Sequence, residues 1–341
     1  MLEIEVEKIA ILMATYNGEK YLRQQVESIM NQTYQKIVLV IHDDGSTDKT
    51  PELISQLVDE YEPGKIIVLQ GKSCGSAKAN FMWMLAHVEA DYYMFADQDD
   101  VWLPEKIEKT MKRYLEIDCD KDNYNLIFTD MAVVDENLKE IYPSFIRSID
   151  RDINHVWPGQ LIIDNVAAGC TMLFGRDLRD VIVDSMEDID LSKVEMHDRL
   201  LITVASVLGL VYGIDEPLSL YRQHGDNEMG AVHETLFDKV ARNIKGIVTG
   251  ERAEGHAAFI KGAQDFAGEV YKVCVKAYSH RNTEEEHSYE DFYRLTEINW
   301  IEDYAHMGEK NLSRNEKIDF YMAHHLERAT EEATYRMYKW I

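Results

Sequence analysis

"DYYMFADQDDVWLPEKI", Asp91 to Ile107, begins like a buried strand and ends as a helix, and between the two it places three carboxylates, Asp97, Asp99 and Asp100. Tyr92, Tyr93, Met94 and Phe95 form the continuous apolar run of a strand covered on both faces. Pro104 opens a helix with Ile107, Met111, Tyr114 and Leu115 on its buried side. Like charges packed this closely repel one another and raise each other's pKa, so stability alone does not put them at a strand end. Their position calls for something positive beside them.

The same strand, polar turn and helix recur upstream. "KIAILMATYN" carries an apolar run from Ile9 to Ala14, and Leu22, Val26, Ile29 and Met30 then fall at helical spacing. "KIVLVIHDDGSTDKT" repeats the unit, with Thr50 as a helix cap, Pro51 in the first turn, and Leu53, Ile54, Leu57 and Val58 on the buried face. "KIIVLQG" follows, then a helix with Phe81, Met84, Leu85 and Val88 on one side. Four such alternations predict an α/β fold, a mostly parallel central sheet flanked by helices. Ligands of such sheets bind outside the carboxyl ends of the strands, so "TYN", "HDDGS" and "DQDD" are expected at one edge. From about Tyr124 shorter strands and loops extend the sheet, and "LLITVASVLGLVYGI", Leu200 to Ile214, reads as a buried helix turning into a strand.

Composition narrows the function. The 341 residues carry a net charge of −26, which argues against nucleic-acid and anionic-lipid partners. Residues 1–234 hold 43 Asp and Glu against 21 Lys and Arg, while 235–341 hold 19 against 15, so the acid is concentrated in the first two thirds. Cys74, Cys119, Cys170 and Cys274 are far apart and show no metal-knuckle spacing, and neither a secretory signal nor an apolar run of spanning length is seen. A cytoplasmic protein with reduced thiols is expected. All six prolines lie at or before Pro217, which predicts an α/β domain over 1–234 and a helical C-terminal region over 235–341, the latter a surface for a partner such as a second copy of the chain.

Carboxylates on a short turn are hard oxygen ligands, suited to Mg²⁺ or Mn²⁺. Asp97-Gln98-Asp99-Asp100-Val101 also fits the D-x-D-x-[TV] signature of haloacid-dehalogenase-like phosphatases, whose motif follows the first strand rather than about the fourth. The ordered set "ILMATYNGEKYLRQQVESIMNQTY", "VLVIHDDGSTDKT" and "MFADQDDVWLPEKI", followed by "GCTMLFGRDL", "MHDRLLITVASVLG" and "DEPLSLYRQHGDN", resembles the family 2 glycosyltransferases of the rhamnosyltransferase-like branch over about residues 7–232. That resemblance implies the GT-A nucleotide-diphospho-sugar transferase fold, and an inverting enzyme that moves a sugar from a nucleotide diphosphate donor, UDP- or dTDP-linked, to a hydroxyl of a glycan, lipid-linked or glycoprotein acceptor.

Carried over position by position, the resemblance puts Ala14, Thr15, Tyr16 and Asn17 against the nucleoside and Asp44 on the base. Asp97 falls near the ribose, Asp99 and His224 at the Mn²⁺ or Mg²⁺ ion, and Asp198 in "MHDRLL" at the general base. Lys78 and Asn80, in "GSAKANF", stand where some members carry an Arg that touches the nucleotide. Read without the family, Asp198 complements a helix dipole, Asp44 and Ser46 shape a turn, His224 is a surface or core histidine, and Trp102 and Trp157 are packing residues. A chain that kept the fold only as a binding module would have lost the site acids, and Asp44, Asp97, Asp99 and Asp198 are all present.

Overall fold

The computed structural model describes residues 2–4, 8–117, 124–149, 151–154, 156, 158–163, 165–224 and 251–281. In chain order the elements are β1 (Leu2–Glu3), β2 (Ile9–Thr15), α1 (Leu22–Met30), β3 (Ile37–Asp43), α2 (Thr50–Glu60), β4 (Ile66–Val68), α3 (Ala77–His87), β5 (Val88–Glu89), β6 (Tyr92–Ala96), β7 (Val101–Trp102) and α4 (Lys106–Ile117). They continue with β8 (Leu126–Val134), β9 (Glu140–Tyr142), α5 (Phe145–Ser148), α6 (Pro158–Ile163), β10 (Met172–Gly175), α7 (Arg176–Asp184), α8 (His197–Leu208), β11 (Val211–Arg222) and α9 (Glu251–Arg281).

The main sheet runs β4-β3-β2-β6-β10-β8-β11-β7, with β9 paired to β8. β2, β3, β4, β6, β8 and β11 point one way, and β7, β9 and β10 the other. This is the mostly parallel α/β sheet that the strand-helix alternation predicts. Period-2 side-chain alternation divides the core between its faces. Ala10, Leu12, Val38, Val40, Tyr93 and Phe95 pack under α3 and α8, while Ile9, Ile11, Met13, Leu39, Ile41 and Met94 pack under α1, α2 and α4.

Connectivity forces the sheet to curl. β6 and β7 lie four strand positions apart, about 19 Å in a flat sheet at ~4.8 Å per strand. The chain covers that gap in the five steps from Ala96 to Val101, a reach of at most about 18 Å even if fully extended. Asp97 to Asp100 form a turn, which is shorter still, so β11 and β7 must bend back towards β6. The acid turn therefore lies in the concave side of the curl rather than on an open rim.

Three local expectations are corrected. Thr50 does not cap α2: its buried hydroxyl accepts the Gly18 N–H at 2.8 Å, and Asp48 Oδ1 takes the Thr50 N–H at 2.9 Å. Leu115 is 53% exposed, one position past the stripe formed by Ile107, Met111 and Tyr114. Val88 is buried as a strand residue pairing with Leu2, because α3 ends at His87.

The described helix of the C-terminal region docks on its own chain. Ala263, Phe266, Ala267, Val270, Val273, Cys274 and Ala277 recur at helical spacing and join the core that contains α8. Arg199 lies over the Phe266 ring at 4.8 Å, and the buried Glu269 carboxylate accepts the Asp190 N–H at 2.8 Å. Residues 225–250 and 282–341, with the rest of the expected helical region, lie outside the described residues. Phe266→Ala is expected to cost about 3–5 kcal/mol, the usual figure for a buried phenyl. Urea denaturation followed by circular dichroism should show the loss in one transition, since the helix shares the α8 core.

Candidate active site

The carboxyl ends of β2 and β3 are locked to each other. Thr15 Oγ1 donates to Asp43 Oδ1 at 2.9 Å, and the Asp44 N–H donates to Thr15 O at 2.8 Å. Asn17 takes a left-handed φ of 49°, which Asn tolerates because its short amide bonds locally. Its N–H reaches Ser46 Oγ at 2.8 Å, and its Oδ1 accepts the Thr47 N–H at 2.8 Å. Gln98, between the acids of the turn, pairs with both backbone groups of Tyr16, accepting the N–H at 3.0 Å and donating to the carbonyl at 2.9 Å. A Cβ on Gly18 would come within 2.2 Å of Gln98 Oε1, so glycine there makes room for the pairing. Ala14 ends the buried run of β2, and the Tyr16 side chain is exposed at the edge.

The other predicted nucleotide residues hold loops. Asp44 accepts the N–H groups of Cys74 and Gly75, the latter at 2.9 Å, and so fixes the turn before α3. Asn80 is buried against His42, with Oδ1 on Nδ1 at 2.7 Å and Nδ2 on the His42 carbonyl at 3.3 Å. Lys78 donates to the carbonyls of Leu191 at 2.8 Å and Val194 at 2.6 Å, tying α3 to the segment that leads into α8. In this arrangement Lys78 and Asn80 spend these polar atoms on the fold rather than on the open edge.

The acid turn is flanked by two buried cations. Burial, and then the neighbouring Asp99 charge, push the Asp97 carboxyl up to about 7. Asp100 is fully buried and raised well above the usual carboxylate range for the same reason, and its Oδ1 accepts the Arg222 N–H at 3.2 Å. Lys106, also fully buried, donates to the Cys170 carbonyl at 2.6 Å and sits 4.1 Å from the Trp102 ring centroid. Desolvation brings its ammonium down to about 8. Arg222 Nε donates to the Asp99 carbonyl at 2.7 Å. Lys106 and Arg222 are the positive neighbours that the sequence pattern called for.

Asp99 Oδ2 and His224 Nε2 lie 2.8 Å apart. Adjacent corners of an octahedron with ~2.1 Å bonds are about 3 Å apart, so these two atoms suit neighbouring positions on Mg²⁺ or Mn²⁺. Asp97, Asp100 and Cys170 bring further donor atoms within 4.8 Å of one another. As the structure stands, Asp99 and His224 share a hydrogen bond, and their oxygen and nitrogen are donor types a divalent cation can take.

Asp198 is in the first turn of α8, 8% exposed. Its Oδ2 accepts the Gly169 N–H at 2.9 Å, and its Oδ1 takes the Arg199 N–H at 2.5 Å and Asn165 Nδ2 at 3.5 Å. Burial outweighs these bonds and raises the carboxyl to about 6. His197 beside it is stacked on Phe81 at 4.4 Å and edge-on to Phe95 at 4.8 Å, and burial lowers it to about 3, so it stays neutral. The Gly169–Thr171 turn joins the two halves of the site, since Gly169 bonds Asp198 and Cys170 bonds Lys106.

Sequence reasoning did not single out Gln98, Lys106, Cys170 or Arg222. The signal for Arg222 was present: a cation ending an apolar strand, two residues before His224 in "YRQHG". Trp102 is a packing residue beneath Lys106, and Trp157 and Cys119 lie outside the described residues.

Residues 10–170, which hold β2 through the acid turn and on to Cys170, match the model of glycosyl transferase family 2. Over this portion the chain is similar to that family, and its sheet is the GT-A fold. It is a glycosyltransferase. Over 228 residues it is 29% identical to the dTDP-rhamnosyl transferase RfbG of Shigella flexneri, which covers 64% of this chain and 74% of that one. Over 102 residues, 30% of this chain and 39% of the relative, it is 33% identical to the UDP-Glc:alpha-D-GlcNAc-diphosphoundecaprenol beta-1,3-glucosyltransferase WfaP of Escherichia coli. Among solved structures, S. aureus TarS 1–349 in complex with UDP-GlcNAc superimposes with a TM-score of 0.50 at 16% identity, over 93% of this chain and 81% of that one, a likeness of fold.

Lys106→Met should cost about 3–5 kcal/mol at pH 7, because it leaves the buried Asp97 and Asp100 without that cation. Their carboxyls are already raised in the folded protein, and the variant raises them further. The folded state then binds protons more tightly than the unfolded one, so the deficit should shrink as pH falls towards 5. Denaturation midpoints at the two pH values check both parts.

Proposed function

We propose that the protein is an inverting, divalent-metal-dependent glycosyltransferase, with Asp198 as its general base and Asp99 and His224 as its metal ligands. The observation that supports this reading is the approach of the acid turn to the buried Asp198 by way of the Gly169–Thr171 turn: Asp97 and Asp198 are close enough for their charges to act on each other, Cys170 groups with Asp97 and Asp100, and Gly169 bonds Asp198. Tyr16, Asn17, Asp44 and Asp97 are the donor nucleotide's contacts in this reading. Lys78 and Asn80 contribute by holding the loops that carry them. The sequence likeness to a dTDP-rhamnosyl transferase favours a dTDP- or UDP-linked sugar donor. The acceptor is a hydroxyl of a glycan, a lipid-linked intermediate or a glycoprotein. No described helix is long and apolar enough to cross a membrane, which accords with a cytoplasmic site of action.

A bound Mn²⁺ or Mg²⁺ supplies Lewis-acid stabilisation of the charge that develops on the departing nucleoside diphosphate. The protein groups do the rest. The curl of the sheet encloses the turn, limiting water at the anomeric carbon. Asp198 takes the acceptor proton as the new glycosidic bond forms; with its carboxyl near 6 it is mostly ionised at neutral pH yet still basic enough to bind that proton. One base and one displacement invert the anomeric centre.

Transfer should therefore rise with pH through about 6, because protonated Asp198 cannot accept a proton and the ionised form can. Asp198→Asn is expected to keep a near-parent melting temperature and donor-nucleotide affinity, and to reduce transfer at least the roughly 10²-fold typical of a lost general base. Transfer at close to the parent rate would place the base elsewhere. For the metal, Asp99→Ala should abolish the coupled binding of Mn²⁺ and nucleoside diphosphate seen by calorimetric titration; unchanged coupling would remove Asp99 from the ligand set.

A further inference from the structure

Arg222 is one of the largest fully buried side chains, although it is charged and ends a strand at the site. Its guanidinium spreads over three separate segments. Nε donates to the Asp99 carbonyl at 2.7 Å, Nη1 to the Glu136 carbonyl at 2.7 Å, and Nη2 to Gln24 Oε1 at 2.6 Å. The guanidinium carbon lies 4.5 Å from the Tyr21 ring centroid, and Tyr21 in turn packs on His224 with ring centroids 4.9 Å apart. Arg222 also gives its backbone N–H to Asp100 Oδ1 at 3.2 Å.

The acid turn needs such an anchor. Asp97 to Asp100 lie between two strands and outside both ladders, so strand pairing does not fix the height of Asp99 above the sheet. His224 stands two residues beyond the end of β11 and is likewise past the ladder. One planar group bonded to the Asp99 carbonyl and stacked on the ring beside His224 fixes both at once. Lysine cannot replace it, because an ammonium is a point charge with no plane to stack and no fork to span three acceptors.

We infer that Arg222 is the positioning residue of the cation site, holding the Asp99 carboxylate and the His224 imidazole at the separation a divalent ion needs. This rests on the reading of those two residues as metal ligands. Outer partners that orient metal ligands typically cost 10- to 100-fold in metal affinity when replaced. A merely structural arginine would lower stability without acting through His224.

The test is a double-mutant cycle on Mn²⁺ binding, read from the free-ion electron paramagnetic resonance signal with full-length protein and nucleoside diphosphate present. Arg222→Lys is expected to weaken Mn²⁺ about 10- to 100-fold in the parent background and to have no further effect in a His224→Ala background. An equal loss in both backgrounds, or none in the parent, overturns the inference and leaves His224 as a ligand. A His224→Ala protein that binds Mn²⁺ like the parent overturns the ligand reading itself, and the inference with it. If Arg222→Lys does not fold, Gln24→Ala removes a single acceptor of the guanidinium from an exposed position and is carried through the same cycle. Its loss should go the same way and also vanish without His224; persistence there overturns the inference.

Discussion

Holding ionised groups out of water at one edge of the sheet is the constraint on which the rest of the structure depends. Each buried ion costs several kcal/mol unless partners surround it. Asp100, Lys106 and Arg222 are all essentially buried around the turn that carries Asp97 and Asp99. The curl of the sheet makes this possible, because it brings the antiparallel strand β10 and the end of β11 around the turn between β6 and β7. Each cation then bonds a backbone carbonyl, Cys170 for Lys106 and Asp99 for Arg222. The side chain of Asp99 bonds His224, and that of Asp97 meets Cys170.

The second half of the site is built on the opposite face and by other means. Asp198 is held by backbone N–H groups at a helix start, and its nearest cationic neighbour, Arg199, sends its guanidinium to the carbonyls of Leu161 and Ile162 and to Glu195. Beneath Arg199 lies Phe266, so α9 supports the helix that carries Asp198 from the side remote from the sheet. The helical region beyond the family match thus reaches the site through packing, with α8 between them.

Much of this was legible in the sequence, for reasons that differ along the chain. The unbroken apolar runs of β2 and β3 read as strands because both their faces are covered, and period 2 then sorts Ile9, Ile11 and Met13 from Ala10 and Leu12. The acids were visible because carboxylates clustered after strands have no structural reason to be there. Thr50 was misread because a cap and a loop anchor present the same hydroxyl, and only the approach of Gly18 decides between them. Gln98 and Cys170 were hidden for a related reason, and the work of Arg222 likewise. Their work is done on backbone groups of distant segments, which no spacing within the chain records.

Of the three raised carboxyls, Asp97 and Asp198 differ in the cause of the shift. Asp97 is raised by burial and then by the charge of Asp99, so a cation arriving in the turn opposes the second cause directly and favours the ionised form of Asp97. Asp198 is raised chiefly by burial, with hydrogen bonds from Arg199 and Gly169 pulling the other way. One edge of the sheet therefore offers a carboxylate set whose charge follows its ligand, and a separate carboxyl whose proton affinity is set by the fold. The proposed transfer would draw on both properties, a set that takes a cation and a carboxyl that takes a proton.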